Sequence, residues 1–155
     1  WRFVYESLLD LKTTINAKKA SKNPVNIGFC EVQYGFFHLT QKYTINKVFS
    51  YQETGNAITY ARDKSIKQWF TSQGIVWNEF QTNGVQRARK NRSNWSLDFE
   101  TRMASKEVFP DLRKAQLLEL DAELIKNINP KPLEKTITVR NKRFQPGGES
   151  WAWKY

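Results

Sequence analysis

Apolar residues recur at helical spacing from the first position onward. Trp1, Val4, Tyr5, Leu8, Leu9 and Ile15 predict an amphipathic helix over 1–16. Lys18 to Pro24 reads as a polar turn, and the apolar run Val25 to Cys30 as a short buried strand. Val32 to Tyr43 follows as a helix with Val32, Phe36, Leu39 and Tyr43 on one side, weakened a little by Gly35. Lys47 to Tyr51 reads as a second strand and Gln52 to Asn56 as a loop hinged at Gly55. Ala57 to Ser72 predicts a third helix with Ile58, Ala61, Ile66, Trp69 and Phe70 on its apolar face. Gly74 ends that helix, and Ile75 to Phe80 is a third strand.

The resulting order is α-β-α-β-α-β with short connections. Strands alternating with helices imply an α/β fold with parallel pairing. Ligands in such sheets bind beyond the carboxyl ends of the strands. Here those ends are Cys30–Glu31, Gln52 to Asn56, and Gln81 to Gly84. After Gly84 the pattern changes. Val85 to Arg92 is basic, Asn94 to Ala104 reads as a helix with Trp95, Phe99 and Met103 at spacing four, and residues 111–127 read as another. Asn129 to Pro132 is a Pro-broken linker, Thr136 to Arg140 is expected to be extended, Gln145 to Gly148 to form a tight turn, and Glu149 onward to start a helix.

Composition narrows the chemistry. Aromatic residues make up 14% of the 155 residues, enough to build a core. No apolar run reaches the ~18 residues a membrane helix requires, so no membrane partner is expected. One cysteine, Cys30, excludes an internal disulfide framework and suits a reducing, cytoplasmic setting. One histidine, His38, excludes multi-histidine metal sites and argues against a His-based triad. The formal net charge of +10 is spread along the whole chain and favours a polyanionic partner, against the plainer reading of solubility charge.

Three clusters carry candidate chemistry. The Gln52–Asn56 loop precedes a helix, and its amides could receive a polar or anionic ligand, with Glu53 hydrogen-bonding a ring N–H; the alternative is a capped turn. No phosphate-binding GxxxxGK[ST] and no GxGxxG occurs. Arg62 and Asp63 form either a buried ion pair or part of a solvated helix face. Arg87, Arg89, Lys90 and Arg92, with Trp95 behind them, suit phosphate contact and base stacking, or else form an exposed loop or a structural clamp. Cys30 and His38 read as packing residues, as do Trp69 and Trp77.

Taken in order, several stretches resemble the cryptochrome/DNA photolyase family, with bacterial photolyase-like proteins nearest. They are WRFVYESLLDL (1–11), NIGFCE (26–31), KVFSYQETGNAITYARD (47–63), GIVWNEFQTNGVQR (74–87), NWSLDFETRMA (94–104) and FQPGGES (144–150). The 47–63 stretch is the most specific, and the set is collinear over nearly the whole chain.

The resemblance implies a Rossmann-like parallel sheet with flanking helices, incomplete because the family's first two strands would precede Trp1, followed by a mostly helical linker. It divides the chain into a partial antenna α/β domain (1–84), a basic and helical interdomain linker (85–143) and the start of the FAD-binding helical domain (144–155). It implies a fragment of a light-dependent DNA-repair flavoprotein, a deoxyribodipyrimidine photolyase acting on damaged DNA, with no catalysis by the fragment alone. A cryptochrome photoreceptor or a basic nucleic-acid-binding α/β module are the alternatives. FAD would belong to the intact parent. An antenna pigment (folate, deazaflavin or flavin) would lie near Glu31, Gln52, Glu53, Asn56, Ile58 and Thr59; Ile58–Thr59 stand where folate-binding relatives carry Asn-Glu, which argues against folate. A sheet lacking its centre would have an open edge and marginal stability.

Overall fold

The computed structural model describes residues 1–19, 25–81, 87 and 89–154. Its elements, in chain order, are α1 (Arg2–Lys19), α2 (Val32–Thr40), β1 (Lys47–Tyr51), α3 (Ala57–Ser72), β2 (Val76–Phe80), α4 (Trp95–Met103), a 3-10 turn (Leu112–Lys114), α5 (Ala122–Asn127), α6 (Lys135–Thr138) and α7 (Glu149–Ala152). They form two compact units. The first combines Trp1–His38 with Pro110–Tyr155; the second is Leu39–Phe109.

The second unit is built on a β-α-β crossover, a mixed helix-and-strand arrangement compatible with an α/β fold. β1 and β2 pair in parallel, with Lys47 opposite Val76 and Tyr51 opposite Phe80. Asn56 starts α3, its Oδ1 accepting from the N–H groups of Ile58 (3.0 Å) and Thr59 (3.2 Å). The helix ends in a Schellman motif. Ile75 N–H returns to Phe70 O at 2.8 Å, Gly74 N–H returns to Thr71 O at 3.1 Å, and Gly74 takes φ 69°, which a Cβ would strain. Ile75 and Phe70 are both buried beside this closure, so the cap and the core are the same contact.

Strand alternation then divides the sheet. Val48, Ser50, Trp77 and Glu79 share one face. There Trp77 meets Phe70 of α3 edge-on at 5.5 Å and donates its indole N–H to Ser50 Oγ at 2.9 Å. Lys47, Phe49, Tyr51, Val76, Asn78 and Phe80 share the other face. On it Phe49 is 63% exposed, Tyr51 70% and Phe80 53%, and the three rings form one contiguous patch.

The first unit packs α1 against α6, α7 and the 3-10 turn. Trp1, with Val4, Tyr5 and Leu8 of α1, lines a small apolar cavity of about 100 Å³ together with Ile27, Phe29, Leu133 and Ile137. Leu120, Leu124, Ile128 and Ile137 are its buried apolar residues. His38 is ring-packed against Tyr34 (4.5 Å, edge-on), in keeping with a packing role.

The structure departs from the sequence-based expectations at several places. Val25–Cys30 is not a strand. Its backbone groups are taken by the 128–129 region instead: Phe29 N–H donates to Ile128 O (3.0 Å) and to Asn129 Oδ1 (2.9 Å), and Asn129 Nδ2 donates to Ile27 O (3.1 Å). Residues 111–127 do not form one helix, because Asp121 accepts from Leu124 N–H at 2.8 Å and starts α5 afresh. Residues 136–140 are not extended throughout; Lys135–Thr138 is a helical turn that buries Ile137. The helix from Val32 stops at Thr40 rather than Tyr43. The tight turn expected at 145–148 shows only a bend at Gly148, and a hydrogen-bonded turn stands just before it at Asn141–Phe144 (3.2 Å). The helix from the N-terminus runs on to Lys19; the remainder of the expected 18–24 turn, residues 20–24, lies outside the described residues, as do 82–86. Among the described residues no helix is long and apolar enough to cross a membrane.

Candidate functional site

The site with the densest charge chemistry lies in the second unit, where β1 delivers its following loop to the start of α3. Gly55 lets that loop close tightly on its neighbours: a Cβ there would stand 2.3 Å from Thr59 Oγ1 and 3.0 Å from Glu53 Oε1, so both side chains would have to shift. Asn56 spends its side chain on the first turn of α3, so the cap reading of this loop describes its local structure. The Glu53 carboxylate is held by Arg62 Nη2. Gln52 extends the ladder beyond β1, its N–H donating to Phe80 O at 2.7 Å.

One turn further along α3, Asp63 is only 9% exposed. A buried carboxylate must be paired. Its two oxygens go to two arginines: Oδ1 accepts from Arg62 Nη2 at 2.7 Å, and Oδ2 from Arg87 Nη2 at 2.9 Å. Arg87 also reaches Glu79 Oε1 at 3.3 Å and the carbonyl of Glu53 at 2.6 Å through Nη2 and 3.1 Å through Nε. One guanidinium thus joins the β1–α3 loop, α3 and the end of β2. The guanidinium of Arg62 is pushed above its ordinary pKa, first by its hydrogen bond to Glu53 and then by Asp63. Lys64 stacks over the Tyr60 ring at 4.5 Å, and Arg87 lies 5.9 Å from the same ring.

The second arginine of the basic segment is also internally engaged. Arg89 donates to Asp98 Oδ2 at 2.7 Å, to Asn91 O at 2.8 Å and to Ser93 O, ahead of α4. Lys90 and Arg92 are exposed. The expected basic cluster therefore separates into a clamp, Arg87 and Arg89, and a pair of solvent-facing cations. Arg102 adds a further tie, donating from α4 to Gln81 O.

Of the residues that the resemblance places near an antenna pigment, Gln52, Glu53, Asn56, Ile58 and Thr59 lie together around the α3 N-terminus, with Ile58 exposed. Glu31 belongs to the first unit, where its carbonyl accepts from Gly35 N–H at 3.0 Å. Beside it, burial and then the Glu31 charge push the Cys30 thiol pKa up, which suits packing rather than nucleophilic attack. The sequence reading missed Glu79. A carboxylate inside the apolar run Ile75–Phe80 was the available signal, because a charge at a covered strand position needs a counter-ion.

Chemically, these carboxylates and guanidinia satisfy one another. The arrangement presents a mutually paired charged floor beneath the strand ends rather than a nucleophile–base pair. Among the described residues, no group of three or more His, Cys, Asp or Glu side chains is placed to hold a metal ion. No protein-family model matches the chain, and no curated protein matches it.

Proposed function

We propose that the chain is a segment of a light-dependent DNA-repair flavoprotein of the cryptochrome/photolyase type, supplying part of a Rossmann-like antenna domain and the linker after it. The observation that carries this reading is the wiring of Glu53, Arg62, Asp63, Glu79 and Arg87. These residues come from two separate family-like stretches, 47–63 and 74–87, and each has its partner in the other or in its own. Charged residues that look arbitrary along the sequence thus have a shared reason to occur together. The open aromatic face of Phe49, Tyr51 and Phe80 supports the same reading, because parallel sheets are normally covered on both faces.

In this reading FAD, damaged DNA and any antenna pigment are properties of the intact parent. When bound, the flavin supplies the light-driven electron for dimer cleavage; residues of this chain shape and stiffen the strand ends next to an antenna site. Expressing the full reading frame tests it. Co-purified FAD and blue-light-dependent loss of pyrimidine dimers from DNA are expected. A full-length product that neither retains flavin nor repairs or responds to light would refute the proposal.

A further inference from the structure

The first unit holds its C-terminal segment by a device that the flavoprotein reading does not require. Glu6 and Asp10 stand four residues apart on α1, on one face of the helix. Glu6 Oε2 accepts from Gly147 N–H at 2.7 Å, and Asp10 Oδ2 from Ser150 N–H at 3.1 Å. Arg140 and Arg2 flank Glu6 at 3.5 and 3.8 Å, and the Arg2 guanidinium lies 5.2 Å from the centre of the Phe144 ring. Residues 140–150 are therefore gripped at the start by charge and at the end by backbone amides.

The grip is selective for glycine. A Cβ at Gly147 would lie 2.1 Å from Phe3 O and 2.8 Å from Ser7 Oγ. Gly148 takes φ 115°, and a Cβ there would lie 2.6 Å from Asp10 Cβ. A one-residue slip would move the Pro146 ring, which has no N–H, to the position where Glu6 now accepts. Register is thus fixed by both chemistry and shape.

We propose that α1 and residues 140–150 form a two-carboxylate clasp: a glycine-specific seat that holds the strap as one local unit and sets the register and direction of α7 on α1. The clasp stands without the flavoprotein reading. Where that reading also holds, the strap is the joint that aims the flavin domain, and only this last clause depends on it.

Hydrogen exchange of the chain, read by mass spectrometry at neutral pH, tests the clasp. In Glu6→Gln/Asp10→Asn and separately in Gly147→Ala, peptides covering 144–152 are expected to exchange at least ten-fold faster, while those covering 27–30 keep their wild-type rate. Unchanged exchange in 144–152, or equal acceleration throughout the first unit, would overturn it. If neither variant folds, the wild-type Gly147 and Ser150 amides must still exchange at least ten-fold more slowly than in an unstructured peptide of the same sequence, and their failure to do so would overturn the clasp as well. Flavin retention by the full-length protein reads the other proposal separately.

Discussion

Asp63 in the second unit and Glu6 in the first each fasten a stretch of chain distant in sequence, and they do so by different physics. Asp63 is buried and meets two guanidinia; Glu6, besides its contacts with Arg2 and Arg140, grips the backbone amide of Gly147, and Asp10 that of Ser150. A buried charge is tolerable only while its counter-charge stays, so the second unit should fail through loss of charge. A carboxylate on an amide needs close backbone approach, so the first unit should fail through added volume.

The largest effect is expected from Arg87→Ala, which takes the guanidinium from Glu79 and leaves Asp63 with Arg62 alone. Removing one partner of a buried pair costs about 3–5 kcal/mol, read as a fall in the urea midpoint, with the lower end expected because Arg87 retains some solvent contact. Gly147→Ala should cost about 1–3 kcal/mol by overpacking against Phe3 O, although it alters no charge. Asn56→Ala should cost about 1 kcal/mol by leaving the Ile58 and Thr59 amides uncapped. Arg62→Ala is expected to cost less than Arg87→Ala, on the order of 1 kcal/mol, because its pairs are solvent-screened. If Arg62→Ala proved the more damaging of the two, the buried-versus-exposed distinction would be wrong.

How much of this was legible in the sequence follows the same divide. β1 and α3 were readable to the residue and β2 to within one, because alternation, the Asn56 cap and the Gly74 stop all agree there. Val25–Cys30 carried the composition of a strand, but hydrogen-bond partners decide strands, and Asn129 supplied them from a hundred residues away. The break in 111–127 was readable in principle, since Asp121 stands where a helix start needs an acceptor. Arg62–Asp63 was visible as adjacent charges. That Arg87 completes the pair could not be read, because the contact spans 24 residues and depends on the crossover geometry.

The smallest effect sharpens the comparison through pH. The Asp10 carboxyl lies below its ordinary 3.8, first because the Ser150 side chain and then the Ser150 N–H donate to it. A lowered folded pKa means that its contribution is complete above the unfolded value and is lost as pH falls through the folded one. The difference in urea midpoint between wild type and Asp10→Asn should therefore be constant from about pH 7 to 5 and shrink below about pH 4. A difference that instead grew on acidification would contradict the assigned contact.

Arg87 and Asp63 act as the pair that locks stretch 74–87 to stretch 47–63. A double-mutant cycle with Arg87→Ala, Asp63→Ala and the double variant measures this directly, using urea unfolding at low salt. A coupling energy of about 2 kcal/mol is expected for a buried, hydrogen-bonded pair, with the double variant less destabilised than the sum of the singles. Additive single-variant effects, with coupling indistinguishable from zero, would contradict it.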